Sequence, residues 1–228
     1  MFDVSSYLEK GYYVGKNQDI VTDINEFNST VKSLQEISLI KEENYVFVHS
    51  VNDVYVDGVK LNILKPGPLK PEDVPERLEY VKKYNADVFQ RYWLFDESKG
   101  MLLENYKRYF RKIVESFLPT IYPELKDNFI HRDAITMFSK GDYQTSHRDG
   151  MNEGRKCVIL MYLSDPSKYT SGGELNVKEE NLHVVIPPTS ENFCLLDCSI
   201  HNLNHYVSEV VDDFQRLAYV NFVYTKEN

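Results

Sequence analysis

The sequence predicts a mainly β protein with helical support (α+β), in which long helices from the N-terminal half flank a jelly-roll core. Two observations carry this prediction. After residue 128, about seven short runs rich in β-branched and aromatic residues follow one another between turn residues, without helical periodicity. Such a series of strands closes into a sandwich or barrel, and the jelly roll is a common solution. Before residue 125, apolar residues instead recur at helical spacing.

The 228 residues suffice for a single domain. We assign residues 1–125 to helical support and lid segments, and residues 126–228 to the jelly-roll core. Helices are predicted over residues 17–36, 76–93 and 101–118, and Pro119 is expected to end the third. The run 45–61 alternates and contains Asp57-Gly58, a hairpin signal. Segments 52–58 and 65–75 are candidate mobile loops, the latter with four prolines.

Composition excludes several classes of protein. The net charge is −9, which disfavours nucleic acids and anionic membranes as partners. No apolar run is long enough to cross a bilayer, and the N-terminus lacks the features of a signal peptide. The three cysteines show neither a disulfide framework nor zinc spacing, so we expect buried thiols and a cytoplasmic protein.

A repeated tripeptide raises the question of chemistry. His131-Arg132-Asp133 recurs as His147-Arg148-Asp149, sixteen residues later. The same letters occur in protein kinases, but a kinase also needs an Asn five residues after the Asp and a DFG motif. Neither is present, so the sequence excludes a kinase.

Metal binding is the better interpretation of this tripeptide. On a strand, residues i and i+2 point the same way, so His-x-Asp aims an imidazole and a carboxylate at one point. A second His from elsewhere would complete the three-ligand face of a non-haem iron site. We favour the second copy, because it follows a Gly141-Asp142 turn at the rim of the predicted barrel. The first copy opens a regular strand, where it is expected to form surface ion pairs.

The end of the chain offers a third ligand and an anion-binding group. His201 and His205 are both candidates, and Val207 and Val210 indicate that the strand of His205 is half buried. Arg216 shares a strand face with the apolar residues Ala218, Val220 and Phe222. An inward guanidinium is costly unless it meets an anion, and a carboxylate is its natural partner.

Three segments together resemble the Fe(II)/2-oxoglutarate-dependent dioxygenases, in the branch that includes the prolyl 4-hydroxylases. They are "KGDYQTSHRDG", "VILMYLSDPSKYTSGGEL" and "HYVSEVVDDFQRLAYVNF". The resemblance covers residues 129–225 and implies a double-stranded β-helix (jelly roll). It also implies Fe(II), 2-oxoglutarate and O₂, with decarboxylation of the cosubstrate driving hydroxylation of a C–H bond.

Residue by residue, the resemblance implies that His147, Asp149 and His205 bind iron. It implies that Arg216 and Tyr162 bind the distal carboxylate of 2-oxoglutarate. Arg155 and Tyr143 are candidate substrate contacts, although the odd spacing from Arg155 to Tyr162 places them on opposite faces of a regular strand. Gly172-Gly173-Glu174-Leu175 is expected to be a structural turn.

The substrate stays open at this stage. The spacing of eleven residues from His205 to Arg216 and the Phe222 that replaces a tryptophan depart from the family pattern. A small molecule, an amino acid or a prolyl peptide is favoured over a nucleobase. The alternative from another class is a non-catalytic jelly-roll binding module, although the His-x-His of cupins is absent. Oligomeric state is not indicated.

Overall fold

The computed structural model describes residues 2–38, 45–51, 54–56, 59–61, 89–95, 101–124, 128–149 and 154–225. The described helices are α1 (Val4–Lys10), α2 (Ile24–Ser38) and α3 (Met101–Ile121). The described strands of the first half are β1 (Tyr12–Lys16), β2 (Tyr45–Val51), β3 (Val54–Val56), β4 (Val59–Leu61) and β5 (Phe89–Phe95). Those of the second half are β6 (Phe129–Phe138), β7 (Tyr143–His147), β8 (Arg155–Tyr162), β9 (Leu175–Glu179), β10 (Leu182–Ile186), β11 (Asn192–Asp197), β12 (His205–Val207) and β13 (Arg216–Thr225).

The helices agree with the sequence in part. The first predicted helix begins later than expected, at Ile24, because residues 17–19 form a 3₁₀ turn and Asp23 accepts the N–H groups of Asn25 and Glu26, each at 3.0 Å. The third is confirmed and continues through Pro119 to Ile121. The second was predicted to reach residue 93, but residues 89–95 form strand β5, and residues 76–88 lie outside the described part.

One large antiparallel sheet carries most of the fold. Its strand order is β1-β11-β8-β13-β6-β5-β7-β12-β9-β10, and β2 pairs with β5. The hairpin predicted at Asp57-Gly58 is confirmed by the pairing of β3 with β4, in which Val56 lies opposite Val59. The candidate loop 65–75 lies outside the described residues, as do four positions of segment 52–58.

Alternation along the strands divides the interior into two cores. One face of β6, β8, β11 and β13 packs against the helices, as the buried rings of Phe27, Phe110 and Tyr219 show. The opposite face joins side chains from β9, β10 and β12 in a second core, which includes Leu160, Val177 and Ala218. This arrangement is the predicted double-stranded β-helix.

The first part of the chain also contributes strands to this sheet. β1 pairs with β11, and β5 pairs with β6 and β7. The division at residues 125 and 126 stays a prediction. The three cysteines are free and buried, as expected. Within the described residues, no helix is both long and apolar enough to span a bilayer.

The first copy of the tripeptide fastens α3 to the sheet. Asp133, with 3% of its side chain exposed, accepts hydrogen bonds from Arg111 Nε at 2.7 Å, Arg111 Nη2 at 2.6 Å and Tyr219 Oη at 2.8 Å. Lys107 Nζ lies 3.4 Å away. These contacts are buried, which corrects the expected surface pairs. Burial alone would raise the pKa of Asp133, but the hydrogen bonds and the neighbouring cations lower it overall.

We expect Asp133→Ala to lower the free energy of unfolding by about 3 kcal/mol, because it removes the buried carboxylate that Arg111, Lys107 and Tyr219 contact. Urea unfolding at pH 7 measures the change. Since the pKa of Asp133 is lowered by folding, its contribution is present above the unfolded value of 3.8 and is lost as pH falls through the folded value. The difference between variant and wild type should therefore shrink in acid, and a difference that is independent of pH would contradict the assignment.

Candidate active site

Three side chains that could hold a metal ion meet where β7 and β12 run side by side. His147, the last residue of β7, lies opposite His205, the first residue of β12, and Asp149 follows two residues after His147. Nε2 of His147 lies 3.9 Å from Oδ1 of Asp149, and Nε2 of His205 lies 3.5 Å from Oδ2. The three ligand atoms lie within 4.8 Å of one another. Two nitrogens and one carboxylate form a donor set that suits a first-row divalent metal.

Backbone carbonyls fix both imidazoles in the form that a metal requires. Nδ1 of His147 lies 2.9 Å from the carbonyl oxygen of Thr145, and Nδ1 of His205 lies 3.0 Å from that of Leu203. A carbonyl oxygen only accepts, so each Nδ1 carries the proton and each Nε2 keeps a lone pair. Burial and the neighbouring His205 also lower the pKa of His147, which favours its neutral form.

The other histidine candidates are not part of this cluster, although His131 lines the same cavity. Nε2 of His201 bonds to the carbonyl of Leu8 at 2.9 Å. Nδ1 of His131 lies 3.2 Å from the amide oxygen of Asn221. Asp133, the carboxylate of the same tripeptide, pairs with Arg111 of α3. Within the described part of the chain, the cluster at residues 147, 149 and 205 is the one group of three ligands this close together.

Arg216 is buried in the same cavity, and it forms no ion pair with any residue that the structure describes. The cavity has a volume of about 610 Å³, and Arg216 and all three members of the cluster line it. The arginine is 2% exposed, its Nε donates to the carbonyl of Gly173 at 2.7 Å, and its Nη2 has no partner. Burial lowers the pKa of Arg216. A buried guanidinium with an unused donor is a site for an anion.

Tyr162 lies beside this guanidinium. The Cζ of Arg216 is 5.4 Å from the centre of the Tyr162 ring and 4.6 Å from that of Phe138. The hydroxyl of Tyr162 is also buried without a hydrogen-bond partner, and burial raises its pKa. Two buried donors without hydrogen-bond partners, one cationic and one neutral, therefore lie close together, and Arg216 lines the cavity.

The Gly172-Gly173 turn leaves room for Arg216. Both glycines have positive φ, and a Cβ on Gly173 would lie 3.1 Å from Cδ of Arg216. A Cβ on Gly172 would lie 2.4 Å from the carbonyl oxygen of Glu209. The turn leads into β9, so it has the structural role expected from the sequence.

Comparison with known families identifies this region. Residues 133–224 match the model of the 2OG-Fe(II) oxygenase superfamily, and the match runs from β6 into β13. This segment is similar to the 2OG-Fe(II) oxygenase superfamily. That superfamily uses Fe(II), 2-oxoglutarate and O₂, and the donor set and the buried cation of this chain fit a metal and a dicarboxylate. Comparison with curated proteins finds no significant match.

Solved structures share the fold of this chain. A prolyl-4-hydroxylase from Pseudomonas putida has a TM-score of 0.57 at 10% identity, over 98% of this chain and 97% of that one. A prolyl hydroxylase from Trichoplax adhaerens, in complex with a peptide fragment of the hypoxia inducible factor oxygen degradation domain, has a TM-score of 0.55 at 16% identity, over 97% and 87%. An oxidoreductase of the 2OG-Fe(II) oxygenase family from Burkholderia pseudomallei has a TM-score of 0.60 at 13% identity, over 99% and 90%.

Arg155 lies on the inner face of the sheet, contrary to the argument from odd spacing. β8 is not regular: Val223 of β13 pairs with Cys157, but Tyr224 pairs with Arg155, so Lys156 is skipped. This irregularity returns Arg155 to the face of Phe222. Its Nη1 bonds to the carbonyl oxygen of Asp149, which ties β8 to the metal-ligand cluster.

Gln144 is a residue of the site that the sequence did not indicate, and Tyr143 does not line the cavity. The pairing of β7 with β12 shifts between His205 and Val207, which places Gln144 opposite Val207. Its Nε2 lies 3.1 Å from Nε2 of His147. Simple alternation from His147 favoured Tyr143, and no local signal marks the shift.

We expect Arg216→Met to raise the free energy of unfolding of the protein without ligands, by about 1–4 kcal/mol. An apolar side chain of similar length removes a buried charge that has no counter-ion. Urea unfolding in metal-free buffer without dicarboxylates measures this. A less stable variant would mean that the guanidinium is already stabilised without an anion.

Proposed function

We propose that the chain is a Fe(II)/2-oxoglutarate-dependent dioxygenase that hydroxylates a C–H bond of a small molecule, an amino acid or a peptidyl (prolyl) substrate. In this proposal His147, Asp149 and His205 bind the iron, and Arg216 and Tyr162 bind the distal carboxylate of 2-oxoglutarate. The observation that carries it is the unpartnered Nη2 of Arg216, buried in the cavity that also contains the three possible ligands.

The side chains of the cluster would hold the metal from one side. Two neutral imidazoles and a carboxylate leave the opposite side open to other ligands. The bound iron, with cosubstrate and O₂, supplies the oxidation that couples decarboxylation to C–H hydroxylation. The carbonyls of Thr145 and Leu203 keep the imidazoles oriented, and apolar walls restrict water. The carboxylate of Asp149 favours hydroxylation, because halogenating relatives need that position for chloride.

Arg216 and Tyr162 would select the cosubstrate. The guanidinium offers Nη2 and the phenol offers its hydroxyl proton, and both atoms are desolvated before any ligand binds. A carboxylate accepts from both at once, and charge-assisted hydrogen bonds of this kind are the strong ones. The closed end of the cavity therefore suits the distal carboxylate of a dicarboxylic acid.

Peptides and small molecules both fit as substrates. The prolyl hydroxylase from Trichoplax adhaerens, a neighbour in fold, carries a peptide. Phe222 lines the cavity in place of the tryptophan of the family pattern, which weakens the case for a prolyl peptide. Arg155, through its contact with Asp149, is a candidate substrate contact. The net charge of −9 disfavours a nucleobase in a nucleic acid as the substrate, and it disfavours binding to an anionic membrane surface.

We expect His147→Ala and Asp149→Ala to abolish the formation of succinate from 2-oxoglutarate, because each removes one of three metal donors. His131→Ala is the matched control, since the same change in the other copy of the tripeptide should leave turnover within about twofold of wild type. A coupled succinate assay with added Fe(II) compares the three variants. Loss of turnover in His131→Ala together with its retention in His147→Ala would reverse the assignment of the two copies.

We expect anaerobic addition of Fe(II) and 2-oxoglutarate to the wild-type protein to produce a weak visible charge-transfer band. Titration of that band gives the affinity for 2-oxoglutarate, which Arg216→Met should weaken on the order of 100-fold, because the buried charge pair is lost. A non-catalytic jelly-roll binding module would give no such band. An unchanged affinity in Arg216→Met would remove Arg216 from the cosubstrate site.

A further inference from the structure

Two arginines flank the aromatic end of strand β13. Cζ of Arg132, on β6, lies 4.9 Å from the ring centre of Tyr224. Cζ of Arg155, on β8, lies 4.8 Å from the ring centre of Phe222 and 5.3 Å from that of Tyr224. Both guanidiniums therefore contact the same tyrosine ring, Arg132 from β6 and Arg155 from β8, the two strands that flank β13.

Neither arginine has a carboxylate partner among the residues that the structure describes. Arg155 is half buried, yet it donates only to neutral acceptors: the hydroxyl of Tyr224, at 3.1 Å and 2.7 Å, and the carbonyl of Asp149. Arg132 is exposed and contacts the Tyr224 ring. By contrast, Arg111 and Arg148 both pair with carboxylates. Two cations that contact one ring and have no carboxylate partner attract an anion.

This pair is distinct from the arginine at the closed end of the cavity. On the inner face of β13, Arg216 and Phe222 are six residues apart, which corresponds to roughly 20 Å of strand. One molecule of 2-oxoglutarate is too short to bridge that distance. An anion at Arg132 and Arg155 would therefore belong to a second ligand.

The position of the pair relates it to the metal-ligand cluster. Arg132 and Phe222 line the cavity that contains the cluster, and Arg155 bonds directly to the backbone of Asp149. A group held by the two guanidiniums would lie next to the place where oxidation occurs. Planar guanidiniums bind carboxylates in preference to most other groups of this size.

We propose that the substrate carries a carboxylate, which Arg132 and Arg155 bind at the open end of the cavity. This inference rests on the proposed function, and it specifies the substrate class. The carboxylate belongs either to a free amino acid or to an acidic side chain of a peptide. In both cases the oxidised carbon lies near the carboxylate, because Arg155 and the cluster share Asp149.

The test measures the rate of succinate formation in the presence of Fe(II) and 2-oxoglutarate. For each candidate substrate, this rate is compared with the rate when no substrate is added. One arm uses the twenty free L-amino acids and their carboxamides. The other uses short capped peptides that contain Asp or Glu, and the same peptides with Asn or Gln. We expect one arm to contain compounds that stimulate turnover, and we expect their amides to lose about tenfold or more in kcat/KM. The arm that responds identifies the source of the carboxylate.

Variants connect that preference to the two arginines. Arg132→Gln and Arg155→Gln should each raise the KM for the best carboxylate roughly 10–100-fold and abolish the preference for acid over amide. The KM for the carboxylate substrate should rise, and the KM for 2-oxoglutarate should stay unchanged. Arg132→Lys should restore part of the preference for acid over amide. Arg108→Gln, which changes an exposed arginine on α3, is the matched control. A purely structural role would leave the ratio of acid to amide unchanged.

Three results would overturn the inference: equal stimulation by acids and amides, an unchanged acid preference in both Gln variants, or no stimulation by either arm. In each of these cases the proposed function stands as long as the protein converts 2-oxoglutarate slowly without substrate and His147→Ala stops that conversion. If the wild-type protein with iron neither binds nor converts 2-oxoglutarate, the proposed function fails, and the substrate inference fails with it.

Discussion

A buried guanidinium without an anion is the constraint that organises the centre of this protein. Strand β13 carries Arg216 into an apolar interior. There its Nε donates a hydrogen bond to the carbonyl of Gly173, and its Nη2 has no hydrogen-bond partner among the described residues. The Gly172-Gly173 turn gives the room, and Tyr162 adds a second unsatisfied donor. Such a pair is unfavourable in the free protein. It becomes favourable when a carboxylate binds, and the possible metal ligands line the same cavity.

The two identical tripeptides show how strand geometry assigns different roles to the same residues. Asp133 lies on the face of β6 that packs against α3. Its carboxylate forms ion pairs with Arg111 and Lys107 and accepts a hydrogen bond from Tyr219. Asp149 lies just beyond the end of β7, next to His205 of the neighbouring strand. One carboxylate therefore fastens a helix, and the other remains available to a metal.

Irregular pairing decides what surrounds the cluster. The skipped Lys156 brings Arg155 to the inner face, and the shifted pairing of β7 with β12 places Gln144 beside His147. Both features lie at the open end, where ligands specific to this protein would enter. The fold is shared with structures of 10–16% identity, so these side chains, and not the architecture, carry the information about the substrate.

The sequence by itself predicted the strands of the core and the inward position of Arg216, and the choice of the second tripeptide as the metal site stays a prediction. These features rest on local signals: alternation, turn residues and the cost of an arginine on an apolar face. Only the tertiary structure decided that residues 89–95 form a strand, that Asp133 is buried under α3, that Arg155 shares the face of Phe222, and that Gln144 lines the cavity. Each of these features depends on pairing between segments that are distant in the chain. A shift of one residue in that pairing moves a side chain to the opposite face of the sheet, and the local pattern of apolar residues does not reveal the shift.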